Sequence, residues 1–304
     1  MSQRQTVSYL KRRFAKVGLT LQSRHGQNFL VDLNLLRLLA EIAGIEPRDV
    51  VLEIGTGTGA LTAMLARQAA AVVTVEIDPR LHQLAYEELI DFENVTMLQQ
   101  DALAGKNRLN PRVLEAVAER LNESPDRRFK LAANLPFSVA TPVISNLLDL
   151  DTPPETMTVT IQKELADRVA AKPSTKDYGA FSIWAQSQCE VEIMRLLPPE
   201  AFWPRPKVTS AIVQLRFDPH RRRRLRNRAF FHSFVRSLFL HRRKFLRSDL
   251  ASAFKGRLTK AEADALIESL GIPPTSRAEE LDVPTVIQLA DAVEQRLEQT
   301  AGTE

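Results

Sequence analysis

The sequence has almost no cysteine and no long apolar run. Cys189 is the one cysteine among 304 residues, which excludes an intrachain disulfide and any metal site built from several cysteines. No stretch approaches the ~20 consecutive apolar residues of a membrane span. The opening residues 1–4 lack the apolar segment of a secretory signal. These absences predict a protein of a reducing compartment, the cytoplasm, with no membrane span.

Acidic residues are missing from two segments of the chain. Residues 1–30 contain 6 basic and no acidic side chains, and residues 201–260 contain 17 basic against 2 acidic, although the whole chain has a net charge of only +4. A solvated surface normally mixes charges of both signs. The separation therefore predicts a polyanionic partner, and nucleic acid is favoured over a merely solubilising surface or an anionic membrane.

Apolar runs alternate with amphipathic stretches over most of the chain. Hydrophobic residues make up 44% and charged residues 26%, as in globular proteins, and at ~150 residues per domain the length predicts two domains. The pattern predicts strands at residues 50–54, 71–76, 95–98, 129–133 and 157–162, and helices at residues 61–68, 79–89, 112–121, 141–148 and 163–171. Such alternation indicates an α/β fold with a parallel sheet. Residues 190–197 and 210–217 follow as a pair of adjacent antiparallel strands.

Changes in composition and hydrophobic pattern along the chain predict three segments. Residues 1–25 are basic and polar and are predicted to form a flexible arm, with a mitochondrial transit peptide as an alternative interpretation. Residues 26–217 are predicted to be one domain. Residues 218–304 begin with an Arg-rich stretch and continue as amphipathic helices, which predicts a second, smaller domain.

A glycine-rich turn follows the first predicted strand of the sheet. Gly55 and Gly57 lie in the run Glu53-Ile54-Gly55-Thr56-Gly57-Thr58-Gly59, where glycines allow close approach of a ligand to the backbone. Glu76 ends the next strand, where its carboxylate is suited to accepting hydrogen bonds from ribose hydroxyls. The residues alone leave a dinucleotide and S-adenosylmethionine as alternatives. Asp101, after the third strand, is either an acceptor for an adenine amine or a turn residue.

The segment Asn134-Leu135-Pro136-Phe137 favours one kind of chemistry. An adenine amine is a poor nucleophile because its lone pair is delocalised into the ring. Hydrogen bonds to the Asn134 side-chain oxygen and to the Leu135 or Pro136 carbonyl would favour a pyramidal nitrogen, aimed at a sulfonium methyl group. Pro136 stiffens the turn, and Phe137 offers a surface on which an unstacked base can lie. The chemistry needs no metal, and the five histidines show no metal-ligand spacing.

Taken together, these motifs resemble the KsgA-type ribosomal RNA adenine dimethyltransferases, from His25 to Leu289. The matching segments are Gly26–Leu30, the glycine turn, Glu76–Asp78, Asp101–Leu103, Asn134–Phe137, Tyr178-Gly179, Phe202–Ala211, Arg242–Lys244 and Arg277–Glu279. The resemblance implies a class I methyltransferase fold, Rossmann-like with a mostly parallel seven-stranded sheet, and a smaller all-helical C-terminal domain. It also implies transfer of methyl groups from S-adenosylmethionine to N6 of two adjacent adenines near the 3′ end of small-subunit ribosomal RNA, in a pre-assembled subunit.

The resemblance further implies roles for individual residues. Cofactor contacts are expected at Gln27, Asn28, Leu30, Gly55, Glu76, Asp101 and Asn134, and the glycine turn adds Gly57. RNA-backbone contacts are expected from the basic segment at Arg221, Arg222, Arg223, Arg224, Arg242, Arg243 and Lys244. We expect a monomer. Phe137 replaces the more usual Tyr of the family, and Phe245, Ser248 and Asp249 depart from its basic run.

Two alternatives remain at this stage. The first is an Erm-like enzyme that methylates large-subunit RNA, against which the Arg242–Lys244 and Arg277–Glu279 segments argue. The second is a non-catalytic assembly or transcription factor on the same fold, against which the complete set of Glu76, Asp101 and Asn134 argues.

Overall fold

The computed structural model describes residues 7–18, 28–105, 108–240 and 244–301. The chain divides into two compact units: Met1–Ala166 with Val191–Phe217, and Asp167–Glu190 with Asp218–Glu304. No helix in the described ranges is both long and apolar enough to cross a membrane. Within the same ranges, no group of three His, Cys, Asp or Glu side chains is arranged to hold a metal ion.

The first unit is built on a mixed sheet of seven strands. The strands of the protein are β1 (Phe29–Leu30), β2 (Asp49–Ile54), β3 (Ala71–Glu76), β4 (Val95–Gln99), β5 (Arg128–Asn134), β6 (Thr156–Gln162), β7 (Cys189–Leu197), β8 (Phe202–Trp203) and β9 (Ser210–Phe217). The order in the large sheet is β4-β3-β2-β5-β6-β9-β7, and β1 pairs with β8 in a separate two-stranded sheet. Strands β2 to β6 are parallel where they pair, and β9 is antiparallel to β6.

Helices connect the parallel strands and form the second unit. They are α1 (Val7–Lys16), α2 (Leu33–Ala43), α3 (Ala60–Ala66), α4 (Pro79–Leu89), α5 (Pro111–Asn122), α6 (Ala140–Asp149), α7 (Lys163–Val169), α8 (Ala180–Gln186), α9 (Pro219–Arg222), α10 (Arg228–Leu238), α11 (Leu246–Ala253), α12 (Lys260–Ser269) and α13 (Val283–Ala301). The seven strands predicted for the sheet are confirmed to within one residue at each end, and the five helices predicted between them to within two.

The central strands are apolar because both faces of the sheet are covered. Every residue of β2 and β3 is buried, as expected for a parallel sheet between helical layers. Helix α2 contributes Leu36 and Leu39 to the same core as Val51 and Val72. Asp32 caps this helix by accepting hydrogen bonds from the backbone N–H groups of residues 34 and 35.

The carboxyl ends of the parallel strands bring the sequence motifs to one edge. The glycine turn follows β2, Glu76 ends β3, Asp101 follows β4, and Asn134 ends β5. In open α/β sheets this edge is where ligands bind. The fold therefore assembles residues that are nearly 80 positions apart in the chain.

The prediction of a flexible arm over residues 1–25 is wrong for residues 7–18. They form α1 and the turn after it, and Leu10 and Phe14 are only 0% and 2% exposed. The two side chains lie four positions apart, so they share one face of the helix, which packs against Leu81 and Leu84 of α4. The abundance of basic residues concealed this short apolar stripe.

The second unit contains helices α8 to α13. Phe231, Phe234, Val235 and Leu238 of α10 are all buried. The unit also includes residues 167–190, which sequence analysis assigned to the domain at residues 26–217. Two hydrogen bonds explain this membership: the Ser174 N–H donates to the Glu279 carbonyl at 2.8 Å, and the Tyr178 hydroxyl donates to the Leu281 carbonyl at 2.9 Å.

Candidate active site

A cavity of about 210 Å³ opens at the carboxyl edge of the sheet. Six of the predicted cofactor residues line it: Asn28, Gly55, Gly57, Glu76, Asp101 and Asn134. Leu135 and Pro136 line the same cavity. The glycine turn and the corner, formed by Asn134, Leu135 and Pro136, therefore border one cavity. Leu30 lies instead in the hydrophobic core, Phe137 is half-buried beside the corner, and Gln27 lies outside the described residues.

The glycine turn requires glycine for two physical reasons. Gly55 and Gly57 have φ angles of +88° and +58°, in the left-handed region that other L-residues rarely adopt. A Cβ at Gly55 would lie 3.3 Å from Pro136 Cδ, and a Cβ at Gly57 would lie 3.3 Å from Phe29 Cε1. The turn is therefore packed closely against both the corner and strand β1, and its backbone is open toward the cavity.

Glu76 connects the turn to the next strand. Its Oε2 accepts the Gly57 N–H at 2.9 Å and its Oε1 accepts the Asp78 N–H at 3.0 Å. Burial raises the pKa of Glu76 above its ordinary value, and the hydrogen bonds from Asp78 and Gly57 act in the opposite direction. Each carboxylate oxygen has a second lone pair, so the fixed side chain can also accept hydrogen bonds from a ligand.

A second buried carboxyl group lies beneath the turn. Glu53 is 1% exposed, and its Oε2 accepts hydrogen bonds from Thr62 Oγ1 at 2.5 Å and Thr74 Oγ1 at 2.7 Å. Because Thr74 donates to Glu53, the 2.6 Å contact between Thr56 and Thr74 must have the Thr56 hydroxyl as its donor. Burial raises the pKa of Glu53 to about 8. This chain of hydroxyl groups fixes Thr56 inside the turn.

Asn134, which lines the cavity, has a side-chain acceptor without a partner in the described part of the chain. Its Nδ2 donates to the Asn28 carbonyl at 2.9 Å, and this bond fixes which end of the amide is the oxygen. The Oδ1 atom is buried and has no hydrogen-bond partner among the described residues. A buried acceptor without a partner costs about 1–3 kcal/mol. Such an atom in a cavity wall fits a site that is completed by a donor on the ligand.

The rest of the corner is held by its own turn. The Pro136 carbonyl accepts the Val139 N–H at 3.1 Å, which closes the turn before α6. Asp101 also has a turn role, since its Oδ1 accepts the Leu103 N–H at 2.9 Å. This bond leaves its Oδ2 available, so the two interpretations of Asp101 are compatible.

These features fit S-adenosylmethionine in three ways. Gly55 and Gly57 leave room beside the backbone that a Cβ would occupy, so a ligand can approach the turn closely. Glu76 at the end of β3 matches a ribose, and Asp101 matches an adenine amine. The described part of the cavity wall contains no lysine or arginine that would favour the pyrophosphate of a dinucleotide.

Comparison with known proteins decides the family. Residues 18–294 match the family model for ribosomal RNA adenine dimethylases. The chain is 37% identical over 289 residues to ribosomal RNA small subunit methyltransferase A of Geobacillus thermodenitrificans, covering 95% of this chain and 96% of that protein. It is 40% identical over 279 residues to the protein of the same name from Lactiplantibacillus plantarum, covering 91% and 92%.

The chain belongs to the ribosomal RNA adenine dimethylase family. It is therefore an S-adenosylmethionine-dependent adenine methyltransferase of ribosomal RNA, which confirms the predicted family, fold class, enzyme class and cofactor.

Two solved structures support the fold. A dimethyladenosine transferase from Plasmodium falciparum has a TM-score of 0.69 at 22% identity, covering 86% of this chain and 96% of that one. The 23S rRNA methyltransferase ErmE has a TM-score of 0.60 at 24% identity, covering 88% and 100%. At these identities the likeness shows the shared fold and does not distinguish the substrates.

Among the cavity-lining residues that sequence reasoning did not single out, Phe29 and Gln100 stand out. Phe29 lines the cavity, and its ring is the neighbour that excludes a side chain at Gly57. Gln100 also lines the cavity, and its Nε2 is buried without a hydrogen-bond partner among the described residues. Both had a signal in the sequence, because each is adjacent to a residue that was singled out, Asn28 and Asp101.

The predicted RNA-binding arginines have different surroundings. The Arg221 Nη1 donates to the Gln186 and Cys189 carbonyls at 3.1 and 2.8 Å, and its Nε lies 3.4 Å from Asp218. Arg223 contacts the ring of His220 at 2.8 Å. Arg222 is half-buried, whereas Arg224 is exposed and its side chain has no hydrogen bond or ion pair with the described residues. Lys244 is exposed, and Arg242 and Arg243 lie outside the described residues.

Proposed function

We propose that this enzyme dimethylates N6 of two adjacent adenines in the 3′-terminal helix of small-subunit ribosomal RNA. We also propose that it acts as a monomer in the cytoplasm, on a pre-assembled small subunit. The observation that carries the proposal is the buried, unpaired Oδ1 of Asn134 in the wall of the cavity. The names of the relatives from Geobacillus and Lactiplantibacillus support the small subunit as the substrate.

Asn134 and the residues after it hold the target amine. Asn134 Oδ1 accepts one N–H of the adenine amine, and the Leu135 carbonyl accepts the other. The Pro136 carbonyl already bonds the Val139 N–H, so the Leu135 carbonyl is the better second acceptor. Two acceptors on one side of the nitrogen favour a pyramidal geometry. The lone pair then points to the opposite side, and the rate enhancement comes from orientation and preorganised hydrogen bonds.

The turn and the strand ends hold the cofactor. S-adenosylmethionine supplies the electrophilic methyl group when it is bound. Glu76 holds the ribose hydroxyls, Asp101 holds the adenine amine, and Gly55 and Gly57 let the backbone approach the ligand closely. The bond from Asn134 Nδ2 to the Asn28 carbonyl fixes the orientation of the amide and leaves Oδ1 as the acceptor for the target amine.

Phe137 provides the surface for the flipped base. Its side chain is half-buried, and we assign the exposed part to stacking with the base. The ring has no hydroxyl group, so stacking is its contribution to base binding. Because the product is a dimethylamine, the pocket has to accept one methyl group already on the nitrogen during the second transfer.

The test is labelled methyl transfer to undermethylated small subunits, with mass spectrometry of the RNA product. Asn134→Ala is expected to lower kcat by about 10²–10³, the usual cost of removing one preorganised hydrogen-bond partner of a reacting group. Asn122→Ala, the same change at an exposed position of α5, is the matched control and should leave the rate unchanged. Equal incorporation by Asn134→Ala and wild type would refute the assigned role of the corner.

The same assay separates the alternatives. Incorporation into purified large subunits, with none into small subunits, would indicate an Erm-like enzyme. Calorimetry without detectable binding of S-adenosylmethionine would indicate a non-catalytic RNA-binding protein.

A further inference from the structure

Helix α1 has two chemically different faces. Leu10 and Phe14 are buried against α4. Lys11, Arg12 and Lys16 are exposed, and the helix contains no acidic residue. The proposed catalytic mechanism makes no use of these three cations.

The buried face fixes the helix beside the cofactor cavity. The Phe14 ring lies 5.2 Å from the Phe29 ring and 5.6 Å from the Trp203 ring, measured between centroids. Phe29 in turn lines the cavity, and its ring would lie only 3.3 Å from a Cβ placed on Gly57. After the helix, the Gly18 carbonyl accepts a hydrogen bond from Arg80 Nη1 at 2.6 Å. Helix α1 is therefore held in a fixed position, one ring contact away from the wall of the cofactor cavity.

The three exposed cations are not used within the protein. Arg13, on the same helix, donates to the Leu84 carbonyl at 3.2 Å and lies 3.5 Å from Glu87. The side chains of Lys11, Arg12 and Lys16 have no hydrogen bond or ion pair with any of the described residues. Arg12 and Lys16 are four positions apart, and like charges at this spacing destabilise a helix by about 0.2–0.5 kcal/mol. An external polyanion would remove this repulsion.

The neighbouring surface adds to the positive charge. A cavity of about 380 Å³ is lined by residues of α1, α2, α3 and α4. Arg37 and Arg67 line it and supply this charge; Arg13 and Glu88 also line it, but they form an ion pair at 4.0 Å. Charge complementarity therefore favours a phosphate-bearing partner over an acidic or apolar protein surface.

We infer that α1 is a substrate-binding helix, whose Lys11, Arg12 and Lys16 contact phosphates of the RNA that delivers its adenine to the cavity. The inference rests on the proposed function, because RNA is the polyanion that an adenine methyltransferase brings to this edge. These contacts hold the backbone without reading its sequence, and they are separate from the basic segment of the second unit.

The experiment compares three single variants and their combination, Lys11→Gln/Arg12→Gln/Lys16→Gln. Binding to small subunits and to a fragment of their 3′-terminal RNA is measured over a range of salt concentrations. Each lost phosphate contact should reduce the slope of log K against log salt by about 0.7, and the triple variant should lose about 2. We expect its KM for RNA to rise about tenfold, with the affinity for S-adenosylmethionine unchanged within twofold.

The control is Arg48→Gln, which removes one exposed charge just before β2, at the opposite edge of the sheet from the cavity. It should leave the slope and the KM unchanged. An unchanged slope for the triple variant would overturn the inference, as would a loss of affinity for phosphatidylserine vesicles without a loss for RNA. Wild-type methyl transfer is measured in the same series. Its absence would overturn the proposed function, whereas transfer that α1 does not affect would overturn the inference alone.

Discussion

The catalytic edge of the sheet and the arginine cluster at residues 221–224 differ in how their residues are used. At the edge, the glycine turn, Glu76 and Asn134 all face one cavity. In the cluster, the four neighbouring arginines have different surroundings. Arg221 bonds two backbone carbonyls, Arg223 contacts His220, and Arg224 is exposed without a partner among the described residues.

The difference follows from what each pattern constrains. A glycine with positive φ, or an asparagine at the end of a parallel strand, is tied to one backbone position, so its sequence context predicts its location. A run of arginines predicts only which part of the surface is basic. The contacts of each arginine are not predicted, because each long side chain reaches whichever acceptor lies nearby. Motifs that depend on the backbone therefore locate a site residue by residue, whereas charge runs locate only a surface.

The largest effect expected at the catalytic edge concerns Glu53, beneath the turn. Burial raises the pKa of Glu53 to about 8, from an ordinary value of 4.5. The folded protein therefore keeps a proton that the unfolded chain releases, so this contribution to stability is complete below pH 4.5 and is lost as the pH rises toward 8. Relative to Glu53→Gln, the free energy of unfolding of the wild type should fall by a few kcal/mol across this interval.

Urea unfolding of both proteins at several pH values measures this difference. The amide side chain of the variant would keep an oxygen that accepts from Thr62 and Thr74, but it carries no titrating proton. Glu115→Gln, at an exposed position of α5, is the matched control and should run parallel to the wild type. A constant difference between Glu53→Gln and wild type at every pH would contradict the expected neutral carboxyl.

A smaller effect is expected from Gly57→Ala in the turn itself. The φ angle of +58° costs an L-residue roughly 1–2 kcal/mol, and the new Cβ would lie 3.3 Å from Phe29 Cε1. Displacement of this ring changes the cavity wall, so the affinity for S-adenosylmethionine should fall about tenfold, or ~1.4 kcal/mol. Isothermal titration calorimetry measures the change.

Gly256→Ala is the matched control for the turn. Gly256 has a φ of +81°, and a Cβ there would meet nothing within 4 Å. The substitution should lower stability by a similar amount and leave cofactor affinity unchanged. If both variants lost affinity equally, strain in the protein as a whole would explain the result, and the contact with Phe29 would have no specific role.

The same contrast explains how much the sequence could predict. The parallel strands were predictable because each is a short apolar run buried on both faces. Five residues of the cavity wall, Gly55, Gly57, Glu76, Asp101 and Asn134, were predictable because they end or follow those strands. Helix α1 was not, because its buried face consists of Leu10 and Phe14 within a basic segment. The membership of residues 167–190 in the second unit was also hidden. It depends on Tyr178 reaching the Leu281 carbonyl, 103 positions along the chain, which no local pattern reveals.

The smallest effects are expected within the arginine cluster, where two neighbours should behave differently. Arg224→Gln removes an exposed charge, so it should reduce the salt slope of small-subunit binding by about 0.7 and leave the midpoint of thermal unfolding unchanged. Arg221→Gln removes the bonds to the Gln186 and Cys189 carbonyls, so it should lower stability by about 1 kcal/mol with little change in the slope. Equal reductions in slope for the two variants would contradict this difference. They would show that Arg221 binds the RNA as Arg224 does, despite its bonds within the protein.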